Sequence, residues 1–202
     1  MNKPTERGDL EKSEESLWLY RSKHGDSDAF ARLVEIYQRP VYSLCYRMLG
    51  NAEDAEDAAQ ESFLRAYKSM NRYDSNRPFS TWLLSIAAHY CIDQLRKQRY
   101  RIVSFEELPI PELPSNSIGH EEKISRKESQ NRVRQLLNIL KPTDRAIVIL
   151  YYWYDYSYEE ICKTLSLTPG AVKSRLHRAR RAMSKKWLEH YPENLVVERV
   201  MT

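Results

Sequence analysis

The chain has little of what most enzymes and secreted proteins need. Glycine is scarce, with five residues among 202, and we find no glycine-rich phosphate loop, metal-binding cluster or paired nucleophile and base. Its three cysteines, Cys45, Cys91 and Cys162, form neither a CxxC pair nor a zinc spacing, which predicts reduced thiols in a cytoplasmic protein. The charged N-terminus lacks the apolar core of a signal peptide, and no run approaches the roughly 18 apolar residues of a membrane span. We therefore expect neither an enzyme, a cofactor site nor a metal site.

The chain also lacks the period-2 alternation of apolar and polar residues that predicts half-buried strands. Long segments instead repeat apolar residues at three- and four-residue spacing, which is typical of amphipathic helices. The formal net charge of +4 is only mildly basic, so the distribution of charge carries more information than its sum. We predict an all-α fold.

Composition divides the chain into five segments. Residues 1–15 are charged and aperiodic, which predicts a disordered tail. Helical patterning over 16–103 and again over 125–190 predicts two small helical domains. Between them, residues 104–124 contain Pro109, Pro111 and Pro114, a composition typical of a flexible linker. Residues 191–202 form a C-terminal tail without a clear pattern.

Several residues in the first domain predict where helices begin and end. Pro40 lies between two apolar stripes and predicts a kink or a restart. Gly50 is a suitable helix stop, and Asn51 can cap the next helix. Ser80 or Thr81 is a candidate N-cap for a long helix that follows.

The strongest local pattern lies near the C-terminus and predicts a helix-turn-helix. Ser157 and Glu160 have the spacing of a capping box at the start of a short helix. The short segment Ser166–Thr168 predicts a turn, and Pro169 suits the first position of a second helix. A short helix, a tight turn and a second helix form the layout of a DNA-binding unit.

The second helix of this unit has two faces when its residues are placed at about 100° per residue. One is apolar and predicts a core face, with Val172, Leu176, Ala179 and Met183. The opposite face is polar and predicts a DNA reader, with Lys173, Ser174, His177, Arg178 and Arg181. Seven Lys or Arg residues and no acidic residue lie between Lys173 and Lys186, whereas a merely solvated helix usually mixes charge signs. Arginine can bind guanine through two hydrogen bonds, and the other basic residues can neutralise phosphates.

Four segments, in this order and spacing, resemble the sigma factors of bacterial RNA polymerase, in the compact extracytoplasmic-function (ECF) or group-four subfamily. They are GDSDAFARLVEIY, DAEDAAQESFLRAY, FSTWLLSIAAHYCIDQLRK and SYEEICKTLSLTPGAVKSRLHRAR. The resemblance covers about residues 25–187. It implies a sigma-2-like helix bundle and a sigma-4-like helix-turn-helix, joined by the proline-containing linker.

The resemblance also implies a polymerase-docking helix. In the family, an acidic helix with a Gln-Glu pair binds the clamp helices of the largest polymerase subunit. The matching residues here are Asp54, Asp57, Gln60 and Glu61. Compensation of the helix dipole is an alternative role that suits Asp54 but not Gln60 or Glu61, because dipole effects fade within the first turn.

The segment after this helix resembles the family's reader of the minus-ten element, where duplex DNA is melted. The matching residues are Tyr73, Asp74, Ser75, Asn76, Phe79, Trp82, His89, Arg96 and Lys97. Aromatic faces can stack on unpaired bases, although Phe79 and Trp82 could instead belong to the core. His89 departs from the family pattern, which often has asparagine at this position.

The predicted function is therefore promoter-specific initiation, with recognition of the minus-ten and minus-thirty-five elements. The partners that the resemblance implies are promoter DNA, the clamp helices and flap of core RNA polymerase, and an anti-sigma factor. The alternative is a stand-alone helix-turn-helix regulator, which leaves the acidic helix and the aromatic loop without a role.

Overall fold

The computed structural model describes residues 5–104 and 131–190, with side chains described for 14–99 and 131–189. Within these ranges the chain is helical and contains no strand, which confirms the predicted all-α class. The helices are α1 (Thr5–Lys23), α2 (Ser27–Leu49), α3 (Ala52–Lys68), a 3-10 turn (Met70–Arg72), α4 (Phe79–Ser104), α5 (described over 131–138), α6 (Pro142–Trp153), α7 (Tyr158–Leu165) and α8 (Pro169–His190). None of these helices is both long and apolar enough to cross a membrane.

The described residues divide into two compact units. The first comprises 5–46 and 51–90, and the second comprises 47–50, 91–104 and 131–190. The predicted linker at 104–124 lies outside the described residues except for Ser104, which ends α4. The predicted C-terminal tail, 191–202, also lies outside them.

The core of the first unit comes from the apolar faces of α2, α3 and α4. Leu33 and Leu44 of α2 and Leu83 of α4 are fully buried, and α3 presents alanines such as Ala55 and Ala58. Burial of each leucine side chain contributes about 1.5–3 kcal/mol. The three- and four-residue spacing in the sequence is therefore the spacing of residues that reach this core.

The junction between α2 and α3 forms as the sequence predicted. Gly50 has a φ of +88°, a conformation that costs a glycine little because it has no Cβ. The Asn51 side chain then accepts a hydrogen bond from the Asp54 backbone N–H at 2.7 Å. Together these residues end one helix and start the next within two positions.

Three helix boundaries differ from the prediction. Residues 5–15, expected in a disordered tail, lie in α1. Glu, Lys, Arg and Leu favour the helical conformation, so a helix formed over the later residues of α1 can extend into this segment. Pro40 neither breaks nor restarts α2, which continues through it from Ser27 to Leu49. Proline has no backbone N–H to donate to residue 36, and Ile36 is 46% exposed. Helix α4 begins at Phe79, immediately after Pro78 and ahead of the predicted caps.

The second unit is built around α6, whose residues 146–150 are almost fully buried. Helices α7 and α8 pack against it and against each other. Cys162 is half-buried and Cys45 and Cys91 are buried, and none of the three is in a disulfide within the described residues.

Candidate nucleic-acid interface

Side-chain caps define the predicted helix-turn-helix. The Ser157 hydroxyl accepts from the Glu160 N–H while the Glu160 carboxylate accepts from the Ser157 N–H, which confirms the capping box. Helix α7 ends at Leu165, and its C-cap residue Ser166 has a φ of 53°, which turns the chain sharply. Thr168 then caps α8 by accepting from the Ala171 N–H at 3.3 Å. Helix α8 starts at Pro169, as predicted.

Helix α8 buries the face that periodicity assigned to the core. Val172, Leu176 and Ala179 are at most 2% exposed, and Met183 is half-buried. Because these residues lie three or four positions apart, they fix the rotation of α8 about its axis. That rotation determines which residues face outward.

The five residues predicted to read DNA, Lys173, Ser174, His177, Arg178 and Arg181, are all exposed on α8. The Ser174 hydroxyl donates to the Ala171 carbonyl at 3.2 Å. Within the described part of the chain, the side chains of the other four make no hydrogen bond or ion pair. Their charged and polar groups are therefore available to a ligand.

The side chains of two other arginines of α8 have partners within the protein. Arg175 forms an ion pair with Asp144 of α6, with Nη1 2.8 Å from Oδ1. Arg180 donates from Nε to the Tyr152 hydroxyl at 2.8 Å and lies over the Tyr151 and Tyr152 rings. Both arginines sit at the edges of the core face, about 70° from its centre. Because Arg180 lies only about 20° from Lys173 around the helix, periodicity alone does not distinguish it from the outward residues. The internal partners of the two arginines make the distinction, and these partners could not be read from the sequence.

The loop after the 3-10 turn is closed by its own hydrogen bonds. The Tyr73 hydroxyl donates to the Arg77 carbonyl at 2.6 Å, and the Arg77 N–H donates to the Asp74 carbonyl at 3.0 Å. The Asp74 carboxylate accepts from both the backbone and the side-chain N–H of Asn76 at 3.0 Å. Asp74, Ser75 and Asn76 are consequently exposed at the tip of a loop whose shape is set in advance.

The aromatic residues beneath this loop correct part of the prediction. Phe79 is 2% exposed, and its ring contacts Tyr37, Tyr73 and Trp82 with centroid distances of 5.3, 5.4 and 5.6 Å. It is a core residue, since four large rings bury one another, and it presents no face to a base. Tyr73 is 4% exposed, and burial raises the pKa of its hydroxyl. Trp82 is half-buried, so among the three aromatic residues predicted to contact bases it is the most exposed.

The predicted residues in the later turns of α4, His89, Arg96 and Lys97, are all exposed. His89 Nδ1 lies 2.7 Å from the Ser85 carbonyl, so Nδ1 carries the proton and Nε2 of the neutral ring is an acceptor. Arg96 makes two long contacts, with Asp93 Oδ1 at 3.7 Å and with Thr143 Oγ1 at 3.5 Å. Both Arg96 and Lys97 can therefore reach a phosphate.

The predicted docking residues of α3 separate into two groups, those with side-chain partners and those that are exposed. Asp54 receives a hydrogen bond from the Asn51 side chain, and Glu61 pairs with Arg65 at 2.7 Å. Asp57 and Gln60 are exposed and point away from the buried alanine face. Leu64, which the sequence analysis did not single out, lies on the same stripe and is 46% exposed. Its position at i+7 from Asp57 was readable from the spacing.

The sequence matches two family profiles, Sigma-70 region 2 over residues 33–101 and Sigma-70, region 4 over residues 130–183. It is 39% identical over 171 residues to the ECF RNA polymerase sigma factor SigW of Bacillus subtilis, covering 81% of this chain and 91% of that protein. The chain belongs to the ECF RNA polymerase sigma factors. The ECF RNA polymerase sigma-E factor of Salmonella typhimurium is 32% identical over 179 residues, covering 85% of this sigma factor and 93% of that one.

Solved structures show the same fold. CnrH in complex with the cytosolic domain of CnrY matches with a TM-score of 0.64 and 21% identity, over 86% of this chain and 97% of that chain. RpoE of Bartonella quintana with the anti-sigma factor NepR matches with a TM-score of 0.61 and 20% identity, over 77% and 94%. Family membership confirms the predicted function: this sigma factor directs promoter-specific transcription initiation, with core RNA polymerase and promoter DNA as its partners.

Proposed function

We propose that α8 reads the minus-thirty-five element through Lys173, Ser174, His177, Arg178 and Arg181. The observation that carries this proposal is the division of α8 into arginines with internal partners and basic residues without them. A recognition helix needs side chains that can exchange water for base edges and phosphates at little cost. Arg178, which is exposed on the outward face and whose side chain makes no hydrogen bond or ion pair within the described residues, is the residue we assign to a base.

We propose that the exposed loop tip, Asp74 to Asn76, contacts the unpaired bases of the minus-ten element. A preformed loop loses little conformational entropy on binding, which favours capture of a strand whose melting already costs stacking energy. Trp82 supplies aromatic surface beside the loop, while Tyr73 and Phe79 support the loop from below. His89 offers an acceptor, and Arg96 and Lys97 bind phosphates nearby.

We propose that α3 docks on the polymerase through the stripe formed by Asp57, Gln60 and Leu64, with Glu61 at its edge. An exposed leucine between polar residues gives an apolar anchor, and the acidic groups orient the encounter with a basic partner. Asp54 contributes mainly to the helix cap, as its contact with Asn51 suggests.

The wider organisation follows from these assignments. We propose that 16–103 is the polymerase-docking and minus-ten domain, that 125–190 is the minus-thirty-five domain, and that the chain acts in the cytoplasm without a catalytic step of its own. An anti-sigma factor is proposed as its regulatory partner; NepR has that role for the Bartonella quintana protein. The proline-containing segment 104–124 would tether the two readers and keep their effective concentration high.

Reconstitution tests the proposed function directly. The purified protein is mixed with core RNA polymerase free of any sigma factor and with a library of bacterial promoter fragments, and the transcripts are sequenced. We expect discrete start sites that disappear when Gln60 and Leu64 are both replaced by Ala. Dimeric binding to palindromic DNA, with no polymerase association, would instead support the stand-alone regulator.

A further inference from the structure

A cleft of about 480 Å³ lies between the C-terminal part of α1 and the segment that follows α3. Its size falls within the roughly 300–1,000 Å³ of clefts that hold small ligands. Its described lining includes the exposed Tyr20 ring with the His24 ring 4.3 Å away, the Ser75 hydroxyl, the Lys23 ammonium and the largely buried Tyr73, and no carboxylate. Aromatic surface beside hydrogen-bonding groups and a cation is suited to a nucleobase attached to a phosphate backbone.

Lys23 connects α1 to the loop across this cleft. Its Nζ donates to the Ser75 Oγ at 3.1 Å, across 52 positions of sequence. The same ammonium lies 5.5 Å from the centroid of the Tyr73 ring, where the ring quadrupole attracts it. One cation is thus held by the loop tip and by the aromatic ring at the base of the loop.

The hydrogen bond to Lys23 determines what Ser75 can offer. A serine hydroxyl has one donor hydrogen and two acceptor lone pairs. Because an ammonium can only donate, Ser75 accepts from Lys23 and keeps its hydrogen for an acceptor elsewhere. The hydrogen bond from the Tyr73 hydroxyl to the Arg77 carbonyl constrains the backbone of the loop. The direction of the Ser75 hydroxyl therefore depends mainly on the rotamer of its side chain.

We propose that Lys23 is a positioning residue for base selection: it orients the Ser75 hydroxyl to donate to an acceptor atom of one unpaired base in this cleft. This inference rests on the proposed role of the loop in reading the minus-ten element. The last turn of α1 would then contribute to base specificity as well as to packing. Lys23 then affects discrimination at one position more than overall affinity for DNA.

The test is a selection by holoenzyme from a DNA pool. Promoter duplexes are held open over the minus-ten region, with the non-template strand randomised there, and the bound DNA is sequenced. We expect the wild-type holoenzyme to prefer one base strongly at one position. Lys23→Met, which keeps most of the aliphatic stem and removes the charge, should reduce that preference about tenfold and leave the preferences at other positions intact.

Two further variants separate positioning from other roles. Ser75→Ala, in the exposed loop, should lose the same preference, and the double variant should lose no more than either single one, because both changes remove one interaction. Arg21→Gln removes a positive charge from the same turn of α1 but not from the cleft, and should leave the preference unchanged.

Three results would overturn the inference. Lys23→Met could weaken binding to all sequences equally with a shallower salt dependence, which would make Lys23 a phosphate contact. It could leave the selected base unchanged, or its effect could add to that of Ser75→Ala. A wild-type holoenzyme that selects no minus-ten sequence would contradict the proposed function itself. Circular dichroism and polymerase affinity verify that each variant is folded.

Discussion

Arg175 of α8 and Asp144 of α6 form an ion pair with Nη1 2.8 Å from Oδ1, and the Asp144 side chain is only 12% exposed. This pair joins the recognition helix to the most buried helix of its unit. It lies at the edge of the core face, so it fixes α8 without occupying the outward face.

Loss of this pair should destabilise the second unit. Arg175→Met leaves the Asp144 carboxylate largely buried and unpaired, and we expect the free energy of unfolding to fall by about 1–3 kcal/mol. Urea unfolding followed by circular dichroism measures the change. Arg178→Met, on the exposed face of the same helix, is the control and should change it by no more than about 0.5 kcal/mol. Equal losses in the two variants would contradict the distinction between the two arginines.

The capping box of α7 should make a pH-dependent contribution. Hydrogen bonds from the Ser157 backbone N–H and hydroxyl, with a smaller effect of Lys163, lower the pKa of Glu160 from its ordinary value of 4.5. A carboxyl group whose pKa is lower in the folded state stabilises the fold above its unfolded pKa. That contribution is lost as the pH falls through the folded value.

Glu160→Gln isolates this contribution. We expect the variant to be less stable than the wild type at pH 7, by less than about 1 kcal/mol, and the gap to close as the pH falls below 4.5. Thermal unfolding of both proteins between pH 7 and pH 3 measures it. A gap that is constant over this range would show that the Glu160 charge contributes nothing.

Acidic residues on different sides of α3 should contribute differently to polymerase binding. Asp57→Lys places the wrong charge on the proposed docking stripe and should weaken binding to core RNA polymerase about tenfold or more. Glu56→Lys makes the same charge change about 100° around the helix and should have a much smaller effect. Competition binding with labelled wild-type protein measures both. If Glu56→Lys weakens binding as much as Asp57→Lys, net charge and not the stripe determines docking.

Local rules predicted the parts of the fold that depend on a few neighbouring residues. The capping box at Ser157, the turn at Gly50 and the buried face of α8 follow from side-chain chemistry and from 3.6-residue periodicity. Each could be read from within one or two helical turns of sequence.

Contacts between distant residues were not predictable in this way. Asp144 lies 31 positions from Arg175, and Lys23 lies 52 positions from Ser75. The burial of Phe79 depends on Tyr37, which belongs to another helix. Tertiary packing brings such residues together, and no short pattern in a single sequence predicts which ones will meet. The division of α8 between structural and DNA-reading arginines therefore needed the structure.

The central claim, that the outward residues of α8 read the minus-thirty-five element, is tested most directly by base selection at that element. Holoenzymes carrying wild-type protein, Arg178→Ala or Arg180→Met select from duplexes randomised over it. We predict that Arg178→Ala loses preference at one base pair, at a cost of about 1–3 kcal/mol. Arg180→Met should keep the wild-type preferences. Unchanged preferences with Arg178→Ala, or the same loss with Arg180→Met, would contradict the account.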